Sequence, residues 1–227
     1  MPSVDLYQIS LWVLPVLLAV TLHEAAHGFV AWRLGDDTAY RLGRVSANPL
    51  RHVDPVGTVL IPGMLFLSGS PFLFGYAKPV PVQFRNLRNP RRDSIFVAAA
   101  GPAANLLIAL ASAVLINAVF ALPDQARNWT GHTLVNSMTL NISLAVFNLL
   151  PIPPLDGSRV LLGLLPQPLA QLYGRLFRFG LLLVLAVIVL PPLIGRNLGI
   201  NVDIIGWMMH HPVQYLWKLL WPLTGLD

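Results

Sequence analysis

Residues 6–34 read LYQISLWVLPVLLAVTLHEAAHGFVAWRL. The run is apolar from Leu11 to Leu22 with few interruptions, then carries His23, Glu24 and His27 before apolar residues resume. A helix of about 20 apolar residues crosses the hydrocarbon core of a bilayer, so this stretch predicts a membrane helix with three ionisable groups inside it. Such groups are costly in a membrane and are rarely kept without a partner. Histidines at i and i+4 share one helix face a turn apart and can bind one metal ion, while the glutamate between them can reach a water there as general base. Glu24 is the only glutamate in the chain. The amino terminus, Met1 to Asp5, carries an acid and no Lys or Arg. It lacks the basic flank of a secretory signal peptide, so the first span is expected to be retained.

The rest of the chain agrees with a membrane setting. Of 227 residues 55% are hydrophobic and only 11% charged, too few charges to solvate a globular surface. The 15 Lys+Arg exceed the 10 Asp+Glu, but in a membrane protein basic residues decorate cytoplasmic loops, which argues against a nucleic-acid partner. The absence of cysteine excludes disulfides, thiolate metal sites and a cysteine nucleophile. Further apolar windows lie at roughly 94–122, 134–152, 179–195 and 204–222. The last contains Pro212 and is studded with Trp207, Trp217, Trp221, Tyr215, His210 and His211, so it either spans the bilayer or lies in the interface. Glycines and prolines interrupt 56–76, which suits a re-entrant segment. Ala77 to Val82 alternates valine with proline, the pattern of an exposed edge strand. The expected fold is an all-α polytopic membrane protein with about four to five transmembrane helices and a re-entrant region holding a short β element. A single membrane-embedded domain over 1–227 is expected, with a core at 6–165 and C-terminal helices at 166–227.

Charge sorting predicts the topology. If 35–54, 77–93 and 153–178 share one side, with Arg33 at its edge, that side holds Arg33, Arg41, Arg44, Arg51, Lys78, Arg85, Arg88, Arg91, Arg92, Arg159, Arg175 and Arg178, all but three of the 15 basic residues. The positive-inside rule makes it cytoplasmic.

Two histidines do not complete a catalytic zinc site, which usually has three protein ligands and an open position. A downstream glutamate is impossible, and the HExxHxxGxxH extension is absent, because Val30 and Arg33 stand where its glycine and third histidine would be. The remaining candidates are an aspartate or one of His52, His132, His210 and His211. Asp156 follows the Pro-rich run Asn148-Leu-Leu-Pro-Ile-Pro-Pro-Leu-Asp156-Gly157. For it to reach the histidines this run must dip back into the membrane, which is acceptable where backbone lines a wet cavity. A simpler reading ends one helix at the prolines and caps the next with Asp156.

Together, His23 to His27, the NxxPxPxLDG-like run from Asn148 to Gly157, and Ala100-Gly101-Pro102-Ala103-Ala104-Asn105, similar to a GPxxN signature, resemble the site-2 protease family of intramembrane zinc metalloproteases, the M50-like peptidases. The resemblance covers most of residues 6–165. It implies one Zn²⁺ per chain held by His23, His27 and Asp156, Glu24 as catalytic acid/base, and Asn148 contacting the substrate or its oxyanion. It also implies a transmembrane protein substrate, cleaved within or beside its membrane helix by metal-activated water, and a substrate-binding strand that falls on Lys78, Pro79, Val80, Pro81 and Val82. This chain looks like a minimal member without the PDZ or CBS domain of many relatives, and the resemblance places it in a bacterial inner membrane with its site towards the cytoplasm. The competing readings are a membrane metal-ion transporter, which also places His, Asp and Asn near the midplane, and a catalytically silent membrane-binding protein of the same fold. A membrane desaturase or hydroxylase would need more histidines than the six present.

Weaker signals carry two readings each. Asn105 contacts the active-site region or packs helices as polar glue among small residues. Asn141, one helix face with Asn148, is read as a helix bridge. His52 beside Asp54 is read as a solvated loop histidine, and adjacent His210 and His211 diverge by about 100° and so suit interfacial anchoring.

Overall fold

The stretch that carries the HExxH pattern folds as one helix, α1 (Leu6–Arg33). A computed structural model describes residues 6–52, 54, 60, 64, 78–199 and 202–226. Along α1 the buried residues Leu11, Pro15, Ala19, Gly28 and Ala31 face the protein, whereas Trp12, Val13, Val16, Leu17 and Phe29 point outward. An apolar outward face suits lipid rather than water. Gly35, at φ 116°, stops the helix in a conformation that side chains with a Cβ rarely adopt. The short α2 (Thr38–Arg41) follows.

The second long helix, α3 (Pro90–Val119), starts where proline at its first turn costs no hydrogen bond and the buried Asp93 carboxylate accepts from the Asn89 N–H at 2.8 Å. Its run of alanines with Gly101 keeps one face small, so α1 and α4 (Asp124–Asn148) pack closely against it. A Pro-rich turn then leads to α5 (Asp156–Leu164) and α6 (Gln167–Gly174). A 3-10 turn (Arg175–Phe179) continues into α7 (Gly180–Leu198), and α8 (Ile204–Leu220) closes the order. One apolar core joins Ala109 and Ala113 of α3, Met138 and Ile142 of α4, and Leu220, with Trp217 and Trp221 packed on it.

Among the described residues three stretches are long and apolar enough to cross a membrane: Leu6–Arg33, Pro90–Val119 and Gln167–Gly195. The expectation of four or five is therefore reduced to three by that measure. The windows at 134–152 and 204–222 do form helices, but α4 is too polar and α8, at 17 residues, too short. In the middle of α4 the polar side chains Thr133, Ser137 and Asn141 are buried in protein, and Ser137 Oγ lies 2.8 Å from Ser112 Oγ of α3. A helix surrounded by others needs no apolar face towards lipid.

The expected β element is not found either. No strand occurs among the described residues, and Lys78 to Gln83 run without regular structure. Pro79 and Pro81 lack the N–H a ladder needs, and no described extended segment lies beside them to pair. The re-entrant reading of 56–76 falls outside the described residues except at Leu60 and Met64. Over 204–222 the rings divide: Trp207 and Tyr215 of α8 are exposed, whereas Trp217 and Trp221, the latter in the 3-10 turn that follows α8, stack on each other at 4.3 Å and dock on the core.

Candidate metal centre

Helical spacing puts His23 and His27 one turn apart on α1, with their Nε2 atoms 3.1 Å from each other. Each Nδ1 has a partner on α3. His27 Nδ1 lies 2.7 Å from the Val97 carbonyl oxygen, which can only accept, so Nδ1 carries the hydrogen. His23 Nδ1 lies 2.6 Å from Asn105 Oδ1. The orientation of that amide follows from its neighbours. Asn105 Nδ2 donates to Asn141 Oδ1 at 2.7 Å, and Asn141 Nδ2 donates to the Ser137 carbonyl at 2.8 Å. A carbonyl thus anchors the far end of the chain, every amide is oriented by its neighbour, and His23 Nδ1 is the donor at the near end.

With the hydrogen held on Nδ1 in both rings, it is the Nε2 lone pairs that are available to a metal. The third group facing them is Asp156, the first residue of α5, whose Oδ2 lies 3.2 Å from His23 Nε2 and 3.3 Å from His27 Nε2. That oxygen is buried and has no hydrogen-bond donor among the described residues. Three electron-pair donors therefore converge, all within 4.8 Å of one another. Mutual repulsion and burial make this arrangement unfavourable unless a cation sits among them. Two imidazole nitrogens and one carboxylate oxygen form the donor set of a catalytic zinc site, and the residues present fit that ion. The outer contacts to Val97 and Asn105 fix tautomer and ring orientation, as the partners of ligating histidines generally do.

Two glycines make room for this arrangement. A Cβ on Gly101 would fall inside the van der Waals envelope of His23 Nε2 and His27 Nε2, so α3 passes the imidazoles only because that position is bare. A Cβ on Gly157 would run into the Leu149 and Leu150 carbonyls, so only glycine lets α5 close onto the end of α4. The Pro-rich turn thereby brings Asp156 back to α1, and its side chain faces the histidines instead of capping its own helix.

A cavity of about 410 Å³ opens onto the three groups. Glu24, Asn148, Val80 and Arg159 line it, as do Pro79 and Val82. Glu24 Oε2 accepts from the Val80 N–H at 2.7 Å, so the 78–82 segment lies directly over the glutamate. Asn148 Nδ2 donates at 3.0 Å to the Leu144 carbonyl of its own helix and retains a second N–H. The segment is held from behind by the buried Asp36, whose carboxylate accepts from the Gln83 N–H at 2.6 Å and from Asn86 Nδ2 at 3.2 Å. Burial alone would push the Asp36 carboxyl up, but these donors together with the Thr38 hydroxyl and N–H hold it below the usual carboxylate range. Lys78 N–H also bonds the His52 carbonyl at 2.9 Å.

The remaining histidines stand elsewhere. His52, expected to be solvated, is buried, with Nε2 2.9 Å from the Ser46 carbonyl oxygen, because its ring anchors the loop that holds Lys78. His132, His210 and His211 are exposed and take no part in a metal cluster among the described residues. Asn105 serves both of its readings, contacting His23 and bridging to α4. Sequence reasoning missed the Val80 contact with Glu24 and the place of Arg159 in the cavity wall. Arg159 had a signal, three residues after Asp156 on one helix, but counted only as a topology charge.

Comparison with known proteins agrees with this geometry. The model for peptidase family M50 matches residues 117–191, the part that contains Asn148 and Asp156. The chain is 37% identical over 183 residues to the "Putative zinc metalloprotease YwhC" of Bacillus subtilis, covering 79% of this chain and 80% of that protein. It is 32% identical over 177 residues to the "Putative zinc metalloprotease Rip2" of Mycolicibacterium smegmatis, covering 78% of this chain and 66% of that one. Rip2 of Mycobacterium tuberculosis is 30% identical over 184 residues, 81% and 68% of the two chains. No solved structure matches.

Proposed function

The chain belongs to peptidase family M50, the site-2 protease family of metalloproteases, and from that premise we propose that it is a zinc-dependent intramembrane endopeptidase that cuts membrane-spanning protein substrates. The observation that carries this reading is the convergence of His23 Nε2, His27 Nε2 and the donorless Asp156 Oδ2 at a cavity that also contains Glu24. In it, His23, His27 and Asp156 hold the ion. Bound there, zinc supplies Lewis acidity to the scissile carbonyl and to the attacking water. Glu24 takes the proton from that water and returns it to the leaving amine. The free N–H of Asn148 donates to the developing oxyanion. Before any of this, Glu24 must exchange its bond to the Val80 N–H for one to water, so substrate entry and displacement of the 78–82 segment are linked. A helical substrate has to unwind to expose its carbonyls, and 78–82 offers it backbone groups to pair with. In this reading the protein is a multi-pass protein of a bacterial inner membrane with its cavity towards the cytoplasm, an orientation that the basic residues of 35–54, 77–93 and 153–178 support through the positive-inside rule.

The test is reconstitution with tagged single-span substrates, following fragment release alongside Glu24→Gln and a zinc chelator. Cleavage that disappears in both controls, with zinc still bound by Glu24→Gln, is the expected result. Zinc-loaded protein that leaves every substrate whole defeats the peptidase reading, and flux of metal across the same vesicles would then favour a transporter.

A further inference from the structure

Behind the metal cavity lies a second one of about 320 Å³, between the start of α3 and helices α5 and α6. The two share Phe84 and Arg159 in their walls. The lining of the second contains two guanidinium groups, Arg91 and Arg159, and no carboxylate. Arg91 donates from Nε to the Gly163 carbonyl at 3.1 Å and also bonds the Leu165 carbonyl, contacts that hold it still without neutralising its charge. Arg159 has neither hydrogen bond nor ion pair among the described residues. Asp156, on the same helix, turns its Oδ2 to the histidines. The Arg159 guanidinium instead lies over the Phe84 ring, 4.2 Å from its centroid, and 5.3 Å from that of Phe177. Stacking uses the face of the group and leaves its edge, a planar fork of N–H donors that matches a carboxylate. Because the rings already fix the rotamer, little further ordering is needed to bind one.

We propose that this second cavity is a side-chain subsite for an acidic residue of the substrate beside the scissile bond, with Arg159, at the wall shared with the metal cavity, binding its carboxylate. The proposal rests on the peptidase reading above. An extended chain advances about 3.4 Å per residue, so a side chain one or two positions from the cut reaches a cavity that shares a wall with the reacting one. A lipid phosphate would suit the charge equally, but the place of Arg159 in the walls of both cavities favours the polypeptide.

The experiment compares one reconstituted membrane substrate in Glu, Gln and Lys versions, with the exchange placed at each of the two positions on either side of the cut. At one position the wild-type protein should cut Glu over Lys by about tenfold or more in kcat/KM, the worth of one charge-assisted hydrogen bond. Arg159→Glu should invert that order, and Arg159→Lys should keep it while narrowing the ratio. Equal rates for the three versions at all four positions in the wild-type protein overturn the proposal, and they do so whether or not the Arg159 variants fold. An order that Arg159→Glu leaves unchanged overturns it as well. If rates follow the anionic lipid content of the vesicles and not the substrate residue, the cavity takes a phosphate and the proposal falls. Failure of the wild-type protein to cut any version, with zinc bound, is a failure of the peptidase reading instead.

Discussion

Replacing Asn105 with alanine should loosen the metal without touching a ligand. The wild-type amide accepts from His23 Nδ1 at 2.6 Å and donates to Asn141 Oδ1 at 2.7 Å, in a position with no solvent exposure. Alanine leaves both partners buried and unpaired, at about 1–3 kcal/mol each. Only the first loss reaches the metal site, by freeing the tautomer and the ring orientation of His23. Loss of such an outer partner typically weakens metal binding about 10- to 100-fold, equivalent to about 1.4–2.8 kcal/mol. Asn141→Ala keeps the bond from His23 to Asn105 and should cost less than about tenfold. Since Asn141 acts on the metal through Asn105, the double variant should hold zinc no more weakly than Asn105→Ala alone. Asn105→Asp, which restores an acceptor for His23, should recover most of the affinity. The assay is zinc competition against a chelator of known strength in detergent micelles, with helix content followed by circular dichroism. Wild-type zinc affinity in Asn105→Ala, or losses in the two single variants that simply add, would refute the chain of orientation from α4 to the metal.

Other expectations follow from single contacts. Gly101→Ala should leave zinc well below one per chain while the helices persist, because its methyl occupies the space of the two Nε2 atoms; full zinc occupancy would show that α3 can shift. Val80→Pro removes a backbone donor that 78–82 offers an unwound substrate once Glu24 has released it, and cleavage should fall several-fold at unchanged zinc content; unaltered cleavage would take 78–82 out of the substrate path. For Asp36 the sign of the pH effect is fixed by its lowered folded-state value. Its stabilisation is complete above the ordinary aspartate value near ~3.9 and is lost as pH falls through the lower folded one. Hydrogen exchange at 83–86 should accelerate over that window, and Asp36→Asn should abolish the dependence.

Much of this was legible in the chain. The windows at 6–34, 94–122 and 179–195 are dominated by apolar residues, and each became a helix close to its expected limits. HExxH was readable because helical geometry alone brings i and i+4 together. Asp156 was harder: its approach to α1 depends on Gly157 fitting against Leu149 and Leu150, a contact between segments that no local pattern encodes. The same holds for Val80 over Glu24, which are 56 positions apart. Alternating valine and proline suggested a strand, but a strand is a property of two segments and only one is present among those described. His52 was misread for the opposite reason, since loop position says little about burial when the loop folds over a second segment.

The run from the Ser137 carbonyl through Asn141 and Asn105 to His23 crosses three helices, and every link in it has a direction. A helix moves along its axis in steps of 1.5 Å per residue, and a step of one residue by α1, α3 or α4 would present a different side chain at its link. The imidazole would then be free to carry its hydrogen on the nitrogen that faces the metal. The tautomer of His23 is in this sense a gauge of how the bundle is assembled, and a misaligned bundle would hold its ion more weakly. Helix register and metal affinity are thereby coupled, and the ion is held most tightly by a bundle whose three helices stand in this register.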